Sequence, residues 1–422
     1  MARPNVTVLI DDQSFIVPGT EAGSITVGGM FSQNGLMQAL GTTADVKQGF
    51  MRVGSLAELM ERLTCKEGFA TSGWYGDQPS TSRPAQGAAG ATGPRWPAGP
   101  TGAWKYEFWA AHNFLQYGGS LVIGATGSES FSAAPTAGAN SLHDKSIPLD
   151  VVFAATGGVG DANLDYSTVA STIATVREDC VAVVPDTKSG TTVTSAAVPT
   201  GAVSNEYTIC VFGSKKHLGI NRTEQGIDAN ANLLSTHCAA DVAGCIARTD
   251  RLSDPWMSPA GFNRGQILDV VRLEYNPSES EMDTLYDAKI NPVVTFPGEG
   301  TMLFGDKTLK VATSTLSRIN VSRLFIYLKK VIGSAARSKL FELNDFETRS
   351  SFINAVTPVL NRVKARRGLY DFRVVCDESN NTPNLIDSNQ FIADIYIKPA
   401  KSINFIKITF TNKNTADDLG NV

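Results

Sequence analysis

Charge is scarce in this chain: 18% of its 422 residues are Asp, Glu, Lys or Arg, against about 25% in ordinary globular proteins. A surface this thinly charged suits one that partners cover. With 41 acidic and 37 basic residues the formal charge is −4, which provides no general positive field for coating nucleic acid. Four histidines leave few general bases, and no GxSxG elbow, HExxH or recognisable Cys/His pairing occurs. Six cysteines (Cys65, Cys180, Cys210, Cys238, Cys245 and Cys376) are scattered without a CxxC, so buried free thiols are expected rather than a disulfide framework or zinc knuckle. His217, His237, Cys238 and Cys245 match no usual ligand spacing. Apolar runs long enough to span a bilayer as a helix are missing, which excludes membrane insertion by that route. The short apolar stretch before Asp11 and Asp12 is too brief for a signal-peptide core, so secretory export is not expected.

What is present reads as a long globular chain of two to four domains. Residues 5–16 are β-prone and lead into a Gly-rich run, an N-terminal strand on a flexible lead. Leu56, Leu59, Met60 and Leu63 behind Ser55 predict a short amphipathic helix. Residues 73–103 are so rich in Gly, Pro, Ala, Ser and Thr that a loop is expected. An aromatic helix carrying His112 follows, stopped by Gly118 and Gly119 before a buried strand at 120–123. From 150 to 250, apolar runs alternate with helical ones (YSTVASTIATVRED, ANLLSTHCAADVAGCIA), the pattern of an α/β layer.

The C-terminal third reads as α+β. Asn320 can cap a helix striped by Val321, Leu324, Phe325, Leu328 and Val331. Asn344 and Glu347 have capping-box spacing ahead of Phe352, Val356, Val359 and Val363, with Pro358 as a kink and Gly368 as the stop. Glu342 and Thr348 flank the same start. Strands are expected at 370–377, 390–399 and 402–410, with Asn380, Asn381, Thr382 and Pro383 supplying the turn. The last strand carries apolar residues on both faces and needs a sheet edge.

Chemical motifs are weak. Gly300 to Gly305 have phosphate-loop spacing before Lys307 and Thr308, but Asp306 intrudes, and an inserted carboxylate repels phosphate. VVFAATGGVG lacks the third glycine of a dinucleotide fingerprint. No cofactor or metal is expected and no catalytic residue can be nominated. One charge asymmetry stands out: Arg318 to Arg373 holds 12 basic and 4 acidic residues, a net of +8, so the rest of the chain carries −12 of the total −4. The basic helices read as a solvated face, as a contact for an acidic partner, or as a single-strand nucleic-acid site.

Six blocks in one order, ARTDRLSDPWMSPAGFNRG, NPVVTFPGEGTMLFGDKT, RINVSRLFIYLKKVI, LFELNDFETRSSF, RRGLYDFRVVCDESNNTP and FIADIYIKPAKSINFI, resemble the tail sheath proteins of contractile bacteriophages, of the large coliphage type. The first half is similar more weakly, through VGSLAELMERL and WKYEFWAAHNFLQYGGSLVIGATG. Position 322 is Ser where that family commonly has a second Arg beside Arg323. The resemblance implies a non-enzymatic structural subunit of a virion, assembled in the host cytoplasm into stacked rings around an inner tail tube. Baseplate and tail terminator proteins are the further implied partners, with no direct nucleic-acid contact. The implied fold is α+β and multidomain: an N-terminal arm (1–24), an outer α/β domain (25–264) with the loop 73–103, a C-terminal sheath core (265–400) and a C-terminal arm (401–422). Val6, Val8 and Ile10, with Ile403, Phe405, Ile406 and Ile408, are then the strand residues that neighbouring subunits exchange. Arg323, Lys329, Lys330, Arg337 and Lys339 are candidates for contact with the tube or a neighbour. The chain is shorter than the coliphage sheath, implying missing or reduced outward decorations. The runner-up is a hydrolase or nucleotide-dependent enzyme built on the middle domain.

Overall fold

A computed structural model describes residues 25–32, 50–64, 105–125, 148–153, 166–186, 205–218, 233–311 and 314–404. Val6, Val8, Ile10, Phe405, Ile406, Ile408 and the loop 73–103 lie outside them.

In chain order the first half comprises β1 (Val27–Ser32), β2 (Phe50–Val53), α1 (Leu56–Thr64), α2 (Lys105–Leu115), β3 (Ser120–Ala125), β4 (Val151–Phe153), α3 (Tyr166–Thr172, continued by a wide turn at Ile173–Arg177), β5 (Val181–Pro185), β6 (Thr208–Phe212), β7 (Ser214–Leu218), β8 (Leu233–His237) and α4 (Ala239–Leu252). The second half adds β9 (Arg272–Leu273), α5 (Glu279–Asp287), β10 (Ile290–Phe296), β11 (Gly300–Leu303), α6 (Ile319–Arg337), α7 (Phe346–Ala365), β12 (Leu369–Val375), α8 (Pro383–Asp387) and β13 (Asp394–Pro399).

Eight strands form one sheet in the order β11-β10-β6-β5-β4-β1-β3-β2. Its centre is parallel, with antiparallel partners only at the ends, β11 on β10 and β2 on β3. Every residue of β4, β5 and β6 is buried, as expected of parallel strands covered on both faces. Helix α4 packs against β4 and β5, with α2 beside it against β1 and β3. Tyr117 closes over Gly244, where an added Cβ would stand 2.2 Å from the ring. Among the described residues the fold is therefore mixed α/β with three sheets, the other two being β8-β7-β9 and β12-β13.

Two expectations change. The division at 264/265 would cut the large sheet, because β10 and β11 complete it. LLSTH, read as helical, is strand β8, paired in register with β7 from Ser214↔His237 to Leu218↔Leu233; tertiary pairing overrides a short ambiguous apolar run. The Gly300–Gly305 segment, whose phosphate-loop spacing Asp306 interrupts, is an edge strand followed by a buried turn. Asn291 holds that turn, its Nδ2 donating to the Lys307 carbonyl (2.8 Å) and its Oδ1 accepting the Lys307 N–H (2.8 Å). The Lys307 ammonium donates to the Tyr286 carbonyl.

Candidate assembly surface

The C-terminal module has its own hydrophobic cluster. Leu324, Tyr327, Leu328 and Ile332 of α6 meet Phe352, Val356, Leu360 and Val363 of α7, with Trp256, Leu369 and Cys376 closing it. Helix α7 starts one residue later than the expected cap: Asp345 Oδ1 accepts the Thr348 N–H (2.8 Å), which holds that carboxyl below its ordinary range. Asn344 serves a different purpose, donating from Nδ2 to the Gln390 carbonyl and accepting from Arg349 Nε. Pro358 sits inside α7.

Strands β12 and β13 form an antiparallel two-stranded ribbon, with Phe372 opposite Ile397, Arg373 opposite Tyr396 and Val374 opposite Ile395. Phe372, Val374, Ile395 and Ile397 face the cluster. Tyr370 and Tyr396 stand 66% and 61% exposed. Each strand is paired on one side only, so among the described residues both outer edges of the ribbon are open. Two-stranded sheets are marginal by themselves. The ribbon's far end is wired by Asn381, whose Nδ2 donates to the Ile392 carbonyl (2.8 Å) and whose Oδ1 accepts the Ile392 N–H (2.9 Å). Asn380 reaches the Val375 carbonyl and Asp394, and Thr382 opens α8.

Helix α6 lies across the N-terminal ends of the parallel strands. Ser322 Oγ donates to the Glu206 carbonyl (2.6 Å) and Lys329 to the Tyr207 hydroxyl (2.5 Å), both just ahead of β6. Lys330 bonds Asp150 (2.7 Å) just ahead of β4, and the other oxygen of Asp150 accepts the Val27 N–H of β1 (2.9 Å). Arg323 reaches both oxygens of Asp250 (2.6 Å each), and Thr26 also donates to that carboxylate. Burial pushes the Asp150 carboxyl upward, but the Lys330 ammonium outweighs it and holds the group below its usual value. At Asp250 burial wins and the carboxyl is raised.

These contacts correct the sequence expectation: Arg323, Lys329 and Lys330 are buried and engaged within the subunit, so they offer no charge to a tube or neighbour. Arg337 is exposed and Lys339 half-buried, the latter bonded to Ser351. Asn320 is not the cap of α6; it is buried in the first turn, its Nδ2 donating to the Ala400 carbonyl (3.1 Å). Ile403 is 81% exposed, and residues 401–404 are not in a strand. Sequence reading missed Thr26, Asp150 and Asp250, whose partners lie far along the chain. It also missed the apolar group formed by Phe341 and Leu343 on the α6–α7 connection and Phe346 at the start of α7, which are 87%, 78% and 77% exposed.

Family models match in tandem: the phage tail sheath protein central domain over residues 158–309 and the phage tail sheath C-terminal domain over 311–413. The chain belongs to the phage tail sheath family. It is 38% identical over 337 residues to the tail sheath protein of Enterobacteria phage T4, covering 75% of this chain and 50% of that protein. Identity to the tail sheath protein of Vibrio phage KVP40 is 53% over 184 residues, covering 44% and 27%. The chain thus spans half or less of the length of these relatives. Among solved structures, the helical sheath of the anti-feeding prophage in its contracted state superposes with a TM-score of 0.67 at 14% identity, over 98% of this chain and 100% of that one. A sheath tail protein from Listeria innocua gives 0.54 at 10% identity, over 91% and 94%. At such identities the likeness is one of fold. The junction between the two family models follows β11, where the large sheet ends.

Proposed function

We propose that this chain is the repeating subunit of a contractile tail sheath that polymerises around an inner tube, on a baseplate and below a terminator, and drives the tube through the host envelope. The open-edged β12–β13 ribbon carries this reading. A sheet with one covered face and two unpaired edges is a template for strand addition. The apolar-alternating segments around Val6, Val8 and Ile10 and around Ile403, Phe405, Ile406 and Ile408 supply strands of the required pattern from neighbouring copies. About five backbone hydrogen bonds per strand, each worth roughly 0.5–1.5 kcal/mol, hold weakly one at a time and firmly when repeated around a ring. Strand addition keeps neighbouring subunits bonded while the attached bodies turn.

Deleting residues 403–422 is expected to abolish tubes in negative-stain microscopy while leaving the subunit's melting temperature unchanged; intact tubes from the truncation would overturn the arm assignment. The work is mechanical, stored at assembly as an extended form that buries less inter-subunit surface than the contracted one. Purified sheathed tails are therefore expected to contract on triggering without nucleotide, and a strict nucleotide requirement in that assay would sink the stored-energy account. Arg337, Lys339 and the exposed Phe341, Leu343 and Phe346 are the contacts this role assigns to the α6–α7 end.

A further inference from the structure

The carboxylate that spoils the phosphate-loop spacing has a place of its own. Asp306 is buried where three stretches of chain meet: the turn after β11, the start of α6 and the root of the C-terminal segment. Its Oδ2 accepts a hydrogen bond from the Ser402 hydroxyl, and its backbone carbonyl accepts the Ile319 N–H at the first turn of α6 (3.3 Å). The Ser258 hydroxyl, the Asn320 N–H and the Arg318 guanidinium also face the carboxylate. Lys307, its neighbour in sequence, is turned away onto Tyr286. Two residues before Ser402, the chain is tied down twice more: the Ala400 N–H donates to the Gly368 carbonyl (3.0 Å) and the Ala400 carbonyl accepts from Asn320 Nδ2. Beyond this point Ile403 is exposed.

We propose that Asp306, acting through Ser402 and alongside Asn320, is a positioning latch that clamps residues 400–402 to the start of α6 and so fixes the direction in which the C-terminal segment leaves the body. This rests on reading that segment as a strand donor. A donor whose exit direction is preset meets a neighbour's ribbon with less orientational freedom to lose.

The latch is also sensitive to protons. Burial raises the Asp306 carboxyl to about 6, against an ordinary value of 3.8, and the Ser402 hydrogen bond only partly offsets it. Opening the segment hydrates the carboxylate and returns it toward its ordinary value. The closed form therefore binds a proton more tightly than the open form, and acidification favours closure. Linkage between these two values gives an opening constant roughly tenfold smaller at pH 5 than at pH 7.

Hydrogen exchange of the unassembled full-length chain tests this, read on peptides covering residues 400–404 after correction for the intrinsic pH dependence of exchange. Protection in the wild type is expected to be about tenfold higher at pH 5 than at pH 7. Asp306→Asn keeps a partner for Ser402 but cannot titrate, and should make protection independent of pH. Ser402→Ala, at a half-buried site outside both hydrophobic clusters, should lower protection at both pH values without moving the melting temperature. Wild-type protection that is flat between pH 5 and 7, or unchanged by Ser402→Ala, would overturn the latch. Because the readout uses the unassembled subunit, its outcome is separate from that of the 403–422 deletion, which tests strand donation itself.

Discussion

Arg323→Ala is expected to lower the unfolding free energy of the unassembled subunit by about 3–5 kcal/mol, measured by denaturant titration. The guanidinium is 7% exposed and bonds both oxygens of Asp250 at 2.6 Å. Removing it leaves a buried carboxylate with Thr26 as its remaining donor. Burial already raises that carboxyl even with Arg323 beside it; without the cation the group rises further and takes up a proton. The sign follows: a carboxyl raised in the folded state destabilises the fold above its folded value and less so below it, so the loss in Arg323→Ala should shrink on acidification. Pairing the change with Asp250→Asn should restore part of the loss, because no unpaired charge is then buried. A small effect from the single substitution, within the ±0.5 kcal/mol of ordinary surface changes, would mean that Arg323 faces solvent or a partner. Arg337→Ala is the contrast: being exposed, it should leave stability within that range.

The same helix shows where the sequence is legible. Its apolar stripe is correctly read, since Leu324 and Leu328 enter the C-terminal cluster. Its opposite face, with Ser322, Arg323, Lys329 and Lys330, looks like a solvated basic surface because helical periodicity records polarity and not what polarity meets. Asp150 and Asp250 lie 180 and 73 residues away from their partners, and no local spacing announces them. Strands β12 and β13 are legible through alternation. The turn residues Asn380 and Asn381 are legible as turn formers, though not as the side chains that tie Ile392 and Asp394 across the ribbon. The extent of the large sheet is hidden in the sequence because β10 follows α5 yet pairs with β6, which precedes it, and β11 then extends the sheet from β10. Open edges of a two-stranded sheet are a topological fact, and only pairing in three dimensions reveals them.

Phe352→Ala is expected to cost about 3–5 kcal/mol and to spend that loss unevenly across the molecule. Phe352 is 2% exposed and meets Phe391 edge-on with ring centroids 5.5 Å apart, joining α7 to the chain that leads into β13. The cluster it occupies is distinct from that of the eight-stranded sheet. Helix α6 contributes to both, giving Ile319 and Ile326 to the sheet's cluster and Leu324, Tyr327, Leu328 and Ile332 to the other. Loss of one cluster should therefore accelerate hydrogen exchange in α7, β12 and β13 while β4, β5 and β6 keep their protection. Tube formation, on the reading that neighbours add strands to the ribbon, should fail under conditions where the sheet remains folded. Uniform acceleration across both modules would show instead that α6 welds them into a single cooperative unit. Phe341→Ser separates stability from assembly at the same end of the molecule: its side chain is 87% exposed, so the subunit should unfold as the wild type does. A defect in tube formation from that substitution alone would then locate an inter-subunit contact on the α6–α7 connection.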